Sequence, residues 1–161
     1  MVVQTPKAKK VAADCHLDWG DGNSVQTGTD TLIKHIYRQP GKFTINASVS
    51  LKESEAYSPP LPESTDITVT VDPPDISLSK STPTGGVPGY NFIIKAEEGS
   101  YPVGNWTLSF GDGKSETGQG KGSKTINHVY SKPGTYKVEF SVTDSTGTIT
   151  KKSLNVTKTA P

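Results

Sequence analysis

Residues 108–113 read Leu-Ser-Phe-Gly-Asp-Gly, a short run that joins the end of a strand to a tight turn. Trp106, Leu108 and Phe110 alternate with polar residues, a period of two that is typical of a strand with one buried face. The glycines on both sides of Asp112 suit a turn that requires positive φ angles. The run therefore predicts a half-buried strand followed directly by a tight turn.

A second copy of this pattern lies in the first half of the chain, where residues 17–22 read Leu-Asp-Trp-Gly-Asp-Gly. Its Gly20-Asp21-Gly22 corresponds to Gly111-Asp112-Gly113. Both copies continue with a His-x-Tyr motif and a Pro-Gly motif. The matched residues are His35, Tyr37, Pro40, Gly41 and Phe43 in the first copy, and His128, Tyr130, Pro133, Gly134 and Tyr136 in the second. Such self-similarity indicates two related domains in tandem. Pro73 and Pro74 have no N–H for a strand ladder, so we predict domains of residues 1–72 and 73–161.

The composition favours an all-β chain. The sequence has 161 residues with one Met and few Leu, which disfavours long helices with broad apolar stripes. Only 31% of the residues are hydrophobic, so each domain is expected to bury a small core. Short alternating strands separated by turn residues predict β-sandwiches.

Several functional classes are disfavoured by the same composition. The formal net charge is +1, whereas nucleic-acid-binding proteins usually have a strongly basic face. No apolar stretch approaches the roughly 18 residues of a membrane span, and residues 1–7 lack the apolar core of a secretory signal. The single Cys15 cannot form a disulfide within the chain or a thiolate metal site. We predict a core position for Cys15, and no cofactor.

The combined signature resembles that of the PKD domain, an immunoglobulin-like sandwich named for polycystic kidney disease. A strand ending in Trp/Phe-Gly-Asp-Gly, then His-x-Tyr, then Pro-Gly-x-Tyr/Phe, carries the resemblance in both copies. The resemblance implies seven strands and a role as a spacer, adhesion or binding module on cell-surface proteins, secreted hydrolases or virus particles. It does not imply catalysis.

The aromatic residue after the Pro-Gly motif has an expected structural role. Tyr136 lies where immunoglobulin-like folds place a tyrosine corner, whose hydroxyl bonds to nearby backbone. The first copy has Phe43 there, which cannot form that bond. Some PKD domains bind calcium, but each Gly-Asp-Gly turn offers one carboxylate, too few for an oxygen-coordinated site. We therefore predict no metal.

The two histidines of the repeat invite a catalytic interpretation. His35 and His128 each have a turn carboxylate, Asp21 or Asp112, as a candidate partner. We predict instead that both histidines brace the loop before the Pro-Gly turn. Neither copy is expected to be an active site.

The copies differ most at their starts. The second has room for two strands near Ile76–Leu78 and Tyr90–Ile94, whereas only 18 residues precede Trp19 in the first. The first domain is therefore predicted to lack one or two opening strands. Three explanations are open. Another chain or a rearranged Met1–Val3 completes the domain by strand addition, or a short N-terminal strand is sufficient, or the sequence was shortened at its start.

Two segments are candidates for contact with a partner. The connection over residues 52–65 is long for a compact domain, and is either a binding segment or an idle loop. Its Tyr57, Pro59, Pro60 and Leu61 place an aromatic anchor on an extended backbone. Near the start, Lys7, Lys9 and Lys10 suit an acidic surface.

Two local predictions concern the second domain. Residues 114–124 contain several glycines and lysines, which predicts a flexible, solvated turn extension. The apolar residues of the last strand break phase between Ile149 and Leu154, which predicts a β-bulge.

The expected function is that of a non-enzymatic structural or binding protein. The whole chain resembles a phage virion protein such as a capsid decoration protein, made in the host cytoplasm and displayed on the virion surface. The first domain is expected to dock on other protein chains, either the virion shell or a second copy, while the second contacts host-surface glycans weakly. The alternative is an accessory region of a secreted hydrolase or a cell-surface adhesin, located outside the cell.

Overall fold

The computed structural model describes residues 1–4, 13–28, 31–51 and 64–160. All regular secondary structure in these ranges is β-strand, so the predicted all-β sandwich class is confirmed. The chain divides into two compact units, Met1–Val71 and Asp72–Pro161. Over the ranges just given, no helix has the length and apolar character needed to cross a membrane.

The second unit is a sandwich of two antiparallel sheets. A four-stranded sheet has the order β10-β9-β12-β13, and a three-stranded sheet has the order β11-β8-β7. The seven strands are β7 (Asp75–Ser81), β8 (Tyr90–Glu97), β9 (Val103–Ser109), β10 (Ser115–Gln119), β11 (Gly122–His128), β12 (Gly134–Asp144) and β13 (Ile149–Lys158).

The inward side chains of both sheets form one hydrophobic core in this unit. Leu108, Val138 and Val142 have no exposed surface, and Trp106 and Phe140 are also buried. A fully buried apolar side chain of this size contributes about 1.5–3 kcal/mol. Because the sequence has a single cysteine, packing rather than cross-linking holds the unit together.

The prediction of a flexible loop over residues 114–124 was wrong. Ser115–Gln119 pairs with β9 in one sheet, and Gly122–His128 pairs with β8 in the other, so the segment carries the chain between the two sheets. Backbone hydrogen bonds make these strands, and such bonds do not depend on apolar side chains. Ile126, near the end of β11, faces the core.

The predicted bulge near Ile149 was also wrong. The pairing of β12 with β13 is regular from Gly134 opposite Lys158 to Thr143 opposite Ile149. The irregularity lies on the other side of β12, where the register with β9 shifts between Val142 and Asp144. Ile149 breaks the apolar phase because it is 57% exposed at the start of its strand, not because the strand bulges.

The first unit has the same four-stranded sheet and a smaller second sheet. Its described strands are β1 (Val2–Gln4), β2 (Ala13–Asp18), β3 (Ser24–Gly28), β4 (Leu32–Lys34), β5 (Gly41–Leu51) and β6 (Thr65–Val71). The large sheet has the order β3-β2-β5-β6, and β1 pairs with β4; all pairs are antiparallel.

The described parts of the two units differ by one strand. Val2 lies opposite Lys34, directly before His35, just as Asn91 lies opposite Asn127, directly before His128. Strands β1 and β4 are therefore the counterparts of β8 and β11. The chain's own residues 2–4 supply one opening strand, and no described strand of the first unit corresponds to β7.

Cys15 lies in the core of the first unit. Its side chain is fully buried on β2, at the position that Trp106 occupies on β9. Burial raises the pKa of the Cys15 thiol, because a thiolate loses its hydration there. The predicted core role of Cys15 is confirmed.

Candidate functional site

The Gly-Asp-Gly turn has the same hydrogen bonds in both units. The Phe110 N–H donates to the Lys114 carbonyl at 3.0 Å, and the Lys114 N–H donates to Asp112 Oδ1 at 3.1 Å. In the first unit Trp19 donates to Asn23, and Asn23 to Asp21, at 3.0 and 3.1 Å. The aspartate thus closes its own turn, and its second oxygen stays available.

The first glycine of each turn lies against a neighbouring strand. A Cβ atom at Gly111 would lie 2.5 Å from the Lys137 carbonyl oxygen, and one at Gly20 would lie 2.5 Å from that of Thr44. Both glycines have positive φ angles, 80° and 75°. A larger residue would therefore meet both backbone strain and a clash.

The free oxygen of each turn aspartate binds the repeat histidine. His128 Nε2 lies 2.8 Å from Asp112 Oδ2, and His35 Nε2 lies 2.7 Å from Asp21 Oδ2. The side chains are nearly enclosed, with 9% of His128 and 14% of Asp112 exposed. The structure therefore brings together the His and Asp residues that the sequence offered as partners.

Two aromatic rings contact each histidine ring. The His128 ring stacks on Phe110 at a centroid distance of 3.9 Å and makes a T-shaped contact with Tyr130 at 4.7 Å. The His35 ring stacks on Trp19 at 4.6 Å and meets Tyr37 at 4.7 Å. The ring of each histidine is thus packed between the side chains of its own domain.

The turn carboxylates are stabilised in their charged form. Burial by itself raises the pKa of Asp112, but the hydrogen bonds from His128 and from the Lys114 backbone outweigh it, and the pKa lies below 3.8. In the same way, bonds from His35 and Asn23 outweigh burial and lower the pKa of Asp21. The ionised aspartate is therefore part of the folded structure in both units.

Tyr130 and Tyr37 close the base of each turn. The Tyr130 hydroxyl donates to the buried Phe110 carbonyl at 2.8 Å, and the Tyr37 hydroxyl donates to the Trp19 carbonyl at 2.9 Å. Burial, and then the Asp112 charge, raise the pKa of Tyr130 to about 12. Neither hydroxyl bond was among the predictions made from the sequence. Each tyrosine lies two residues after the histidine, so the two rings of each His-x-Tyr motif are on one face of an extended segment. This spacing was the sequence signal that could have predicted the contact.

The aromatic residue after the Pro-Gly motif stacks on the tyrosine. Tyr136 lies 4.1 Å from Tyr130, and Phe43 lies 4.3 Å from Tyr37, measured between ring centroids. The Tyr136 hydroxyl donates to the Lys132 carbonyl at 2.9 Å, which is the bond expected of a tyrosine corner. Phe43 stacks without it.

An open cleft of about 610 Å³ lies beside the Asp21–His35 pair. Trp19, Ser24 and Phe43 are among its lining residues. In the described part of the chain, no hydrogen bond joins the Ser24 hydroxyl to His35. Ser24, His35 and Asp21 therefore do not form a nucleophile–base relay. The same part contains no group of three or more His, Cys, Asp or Glu residues that could hold a metal ion.

The residues predicted to contact a partner lie outside the described ranges. They are Tyr57, Pro59, Pro60 and Leu61 of the long connection, and Lys7, Lys9 and Lys10 near the start. Their contribution to binding stays a prediction.

The inner face of the four-stranded sheet is less covered in the first unit than in the second. Val69 is half-buried where its counterpart Val156 has no exposed surface. Ile67 is 41% exposed where its counterpart Leu154 is half-buried against the core. Ile67 lies directly opposite Ile45, which is fully buried, so both side chains are on the inner face. The alternation of Ile67, Val69 and Val71 predicts a strand, but not how much of its inner face is covered.

Comparisons with known proteins bear on the family. The sequence profile described as "PKD domain" matches residues 73–158, just over half of the chain. The chain is also similar to the solution structure of the PKD domain from the human VPS10 domain-containing receptor SorCS2. That similarity has 19% sequence identity and a TM-score of 0.40, and it covers 68% of this chain and 96% of that one.

Proposed function

Because the chain belongs to the PKD domain family, we propose that it is a protein-interaction module without catalytic activity, formed by two such domains in tandem. One observation carries the proposal: Ile67, on the inner face of the four-stranded sheet of the first unit, is 41% exposed. In the second unit, strand β7 of the facing sheet covers the corresponding part of the four-stranded sheet. Apolar surface left in water favours association with another surface.

The first domain is the docking domain in this proposal. It carries the less covered sheet, and it also contains the long connection with Tyr57 and its prolines and the lysines near the start. The second domain has a closed core and serves for display, with weak contact to host-surface glycans as a secondary role. The two domains thus have one fold and different tasks.

The partner that we propose is the protein shell of a phage, with this chain as a decoration protein on the virion surface. A fold that depends on packing, with one buried cysteine and no internal cross-link, suits synthesis in a reducing host cytoplasm. The alternative is an accessory region of a secreted hydrolase or a cell-surface adhesin. Capsid or tail genes beside the coding sequence would favour the first, and an upstream signal peptide with a catalytic domain would favour the second.

The contacts that hold the histidines support a role without catalysis. His128 is stacked, edge-packed and bound to Asp112, and these contacts account for its position without a substrate. An activity that was lost in His35→Gln or His128→Gln, with the fold unchanged, would contradict this part of the proposal.

The test is a co-sedimentation assay with shells isolated from the phage that encodes the chain. The full chain and a variant without residues 75–161 should both sediment with the shells, whereas deletion of residues 53–64 should reduce the sedimenting fraction. The isolated residues 72–161 are the matched control and should stay in the supernatant. Equal binding by residues 72–161 and by the full chain would reverse the assignment of docking and display.

A further inference from the structure

We propose that one extended strand of the partner protein completes the first domain, by pairing with the outer edge of β1 and placing alternate apolar side chains over Ile67 and Val69. This inference rests on the proposed function and specifies how the docking domain binds. Its basis is the second unit, which shows the same site in a closed form.

Strand β7 is what closes that site in the second unit. It pairs antiparallel with β8, with Leu78 opposite Ile94 and Ile76 opposite Ala96. Ile76 is only 2% exposed, and Leu78 packs against the core. At the far end of the strand, Lys80 Nζ donates to the Asn155 carbonyl of β13 at 3.2 Å. One strand thus extends a sheet and covers the inner side of β13.

The edge of β1 offers the corresponding backbone groups. The Met1 amino group donates to the His35 carbonyl at 3.0 Å, and the His35 N–H donates to the Met1 carbonyl at 3.1 Å. Backbone groups alternate in direction along a strand, so those of Val2 and Gln4 are directed away from β4. Among residues 1–4, 13–28, 31–51 and 64–71, no strand pairs with that side of β1.

The inner face of β6 offers the corresponding side chains. Its register with β5 matches that of β13 with β12, with Val69 opposite Phe43 as Val156 is opposite Tyr136. In the second unit β7 packs against β13, and its Ile76 and Leu78 belong to the same core as Val156 and Leu154. The equivalent pair in the first unit, Val69 and Ile67, is left partly in water.

These two surfaces define the chemistry of the incoming strand. It is extended, has Ile- or Leu-sized side chains at alternate positions, and has small polar residues between them, as in the Ile-Ser-Leu-Ser run of residues 76–79. A second copy of this chain would have to release its own β7, which is already paired with β8. We therefore assign the strand to a different protein.

The test uses a synthetic peptide with the sequence of residues 75–81, capped at both ends, and the full chain labelled with ¹⁵N. On titration, amide shifts should move for Val2 to Gln4 and for residues 67–71, and not for β8 or β13, where the chain's own β7 is present. A control peptide with Ser in place of both Ile76 and Leu78 should cause no such shifts.

A matched pair of variants tests the side-chain contact. Ile67→Lys should weaken peptide binding at least tenfold, while Ile149→Lys, a change at a comparably exposed isoleucine of the second unit, should leave it unchanged. Dispersed amide spectra of both variants would show that the fold is intact. Equal binding by the two variants, or equal shifts with the two peptides, would overturn the proposal.

Other occupants of the site give different results. If Ile67→Lys abolished a concentration-dependent dimer in sedimentation, the occupant would be a second copy. If the peptide bound only after deletion of residues 53–64, a segment of the same chain would cover the face. Either result overturns the proposal. If Ile67→Lys bound phage shells normally while residues 72–161 alone did not, docking by the first domain would stand and strand addition would fail.

Discussion

Asp112 and His128 form a hydrogen-bonded pair, with 2.8 Å between Oδ2 and Nε2, on the outer wall of the second core. The pair recurs between Asp21 and His35 at 2.7 Å, although 14 positions separate those residues in the chain and 16 separate the others. The loop between turn and histidine therefore varies in length without moving the pair. The same pair in both domains links the Gly-Asp-Gly turn to the His-x-Tyr segment.

Asp112→Asn should lower the free energy of unfolding of the second unit by about 1–3 kcal/mol, because a nearly buried imidazole loses its charged acceptor. The measurement is urea denaturation followed by circular dichroism. Asp75→Asn, which changes an exposed carboxylate of the same unit, is the control and should change little. If the two variants lost equal stability, the pair would contribute nothing specific.

Stability should decline as the pH falls below about 3.8. The pKa values of Asp21 and Asp112 are lowered in the folded chain, so their stabilisation is complete above the ordinary value of 3.8. Below it the unfolded chain binds protons first, and the stabilisation is lost as the pH falls through the lowered pKa.

Urea denaturation at a series of pH values checks this dependence. The double variant Asp21→Asn, Asp112→Asn should show a shallower decline than the unchanged chain. Glu139, whose pKa is lowered by the hydrogen bond and charge of Lys151, adds a decline of the same sign that both proteins share. An unchanged slope in the double variant would mean that the lowered pKa values belong to other groups.

Tyr130→Phe and Tyr136→Phe should differ in their effect. The first leaves the buried Phe110 carbonyl without its donor and should cost about 1–3 kcal/mol. The second removes an exposed bond at a position where the first unit has Phe43, and should cost less than about 0.5 kcal/mol. Thermal unfolding compares them. An absorbance titration of tyrosine at high pH should also show, in Tyr130→Phe, one fewer tyrosine that ionises near pH 12. The reverse order of cost would contradict the assignment of the buried bond.

Cys15 should be unreactive toward a disulfide reagent such as dithionitrobenzoate while the first unit is folded. Its side chain is fully buried and burial raises the pKa of its thiol, so the thiolate is scarce and shielded. Because the first unit is less covered, the thiol should react at a lower urea concentration than that at which the amide signals of the second unit lose their dispersion. Rapid reaction in native buffer would place Cys15 outside the core.

Local patterns in the sequence predicted much of this fold. Alternation placed Leu108 and Phe110 in the core, because side chains of one strand point to opposite faces whatever lies beyond them. The turn glycines and the Tyr136 corner were also predictable, since each follows from a few adjacent residues. The approach of His35 to Asp21 could be suggested as an option because both recur in the repeat.

Contacts between distant strands could not be predicted in the same way. Whether Ile67 is covered depends on which strand closes the sandwich opposite it, and nothing in residues 65–71 carries that information. The strands over residues 114–124 rest on backbone pairing with β8 and β9, which leaves little trace in side-chain composition. The register shift beside Val142 arises from how β12 meets β9, so the phase of the final strand gave no guide to it.

The close approach of Gly111 to Lys137, and of Gly20 to Thr44, has a consequence for protein engineering. A peptide grafted beside either turn has to be inserted beyond Lys114 or Asn23, because the first glycine is in backbone contact with the adjacent strand and the backbone of Lys114 or Asn23 closes the turn on its aspartate. The two turns are therefore equivalent insertion points on one chain. Guest sequences of moderate length could be carried at both, provided that the aspartate and the first glycine are kept.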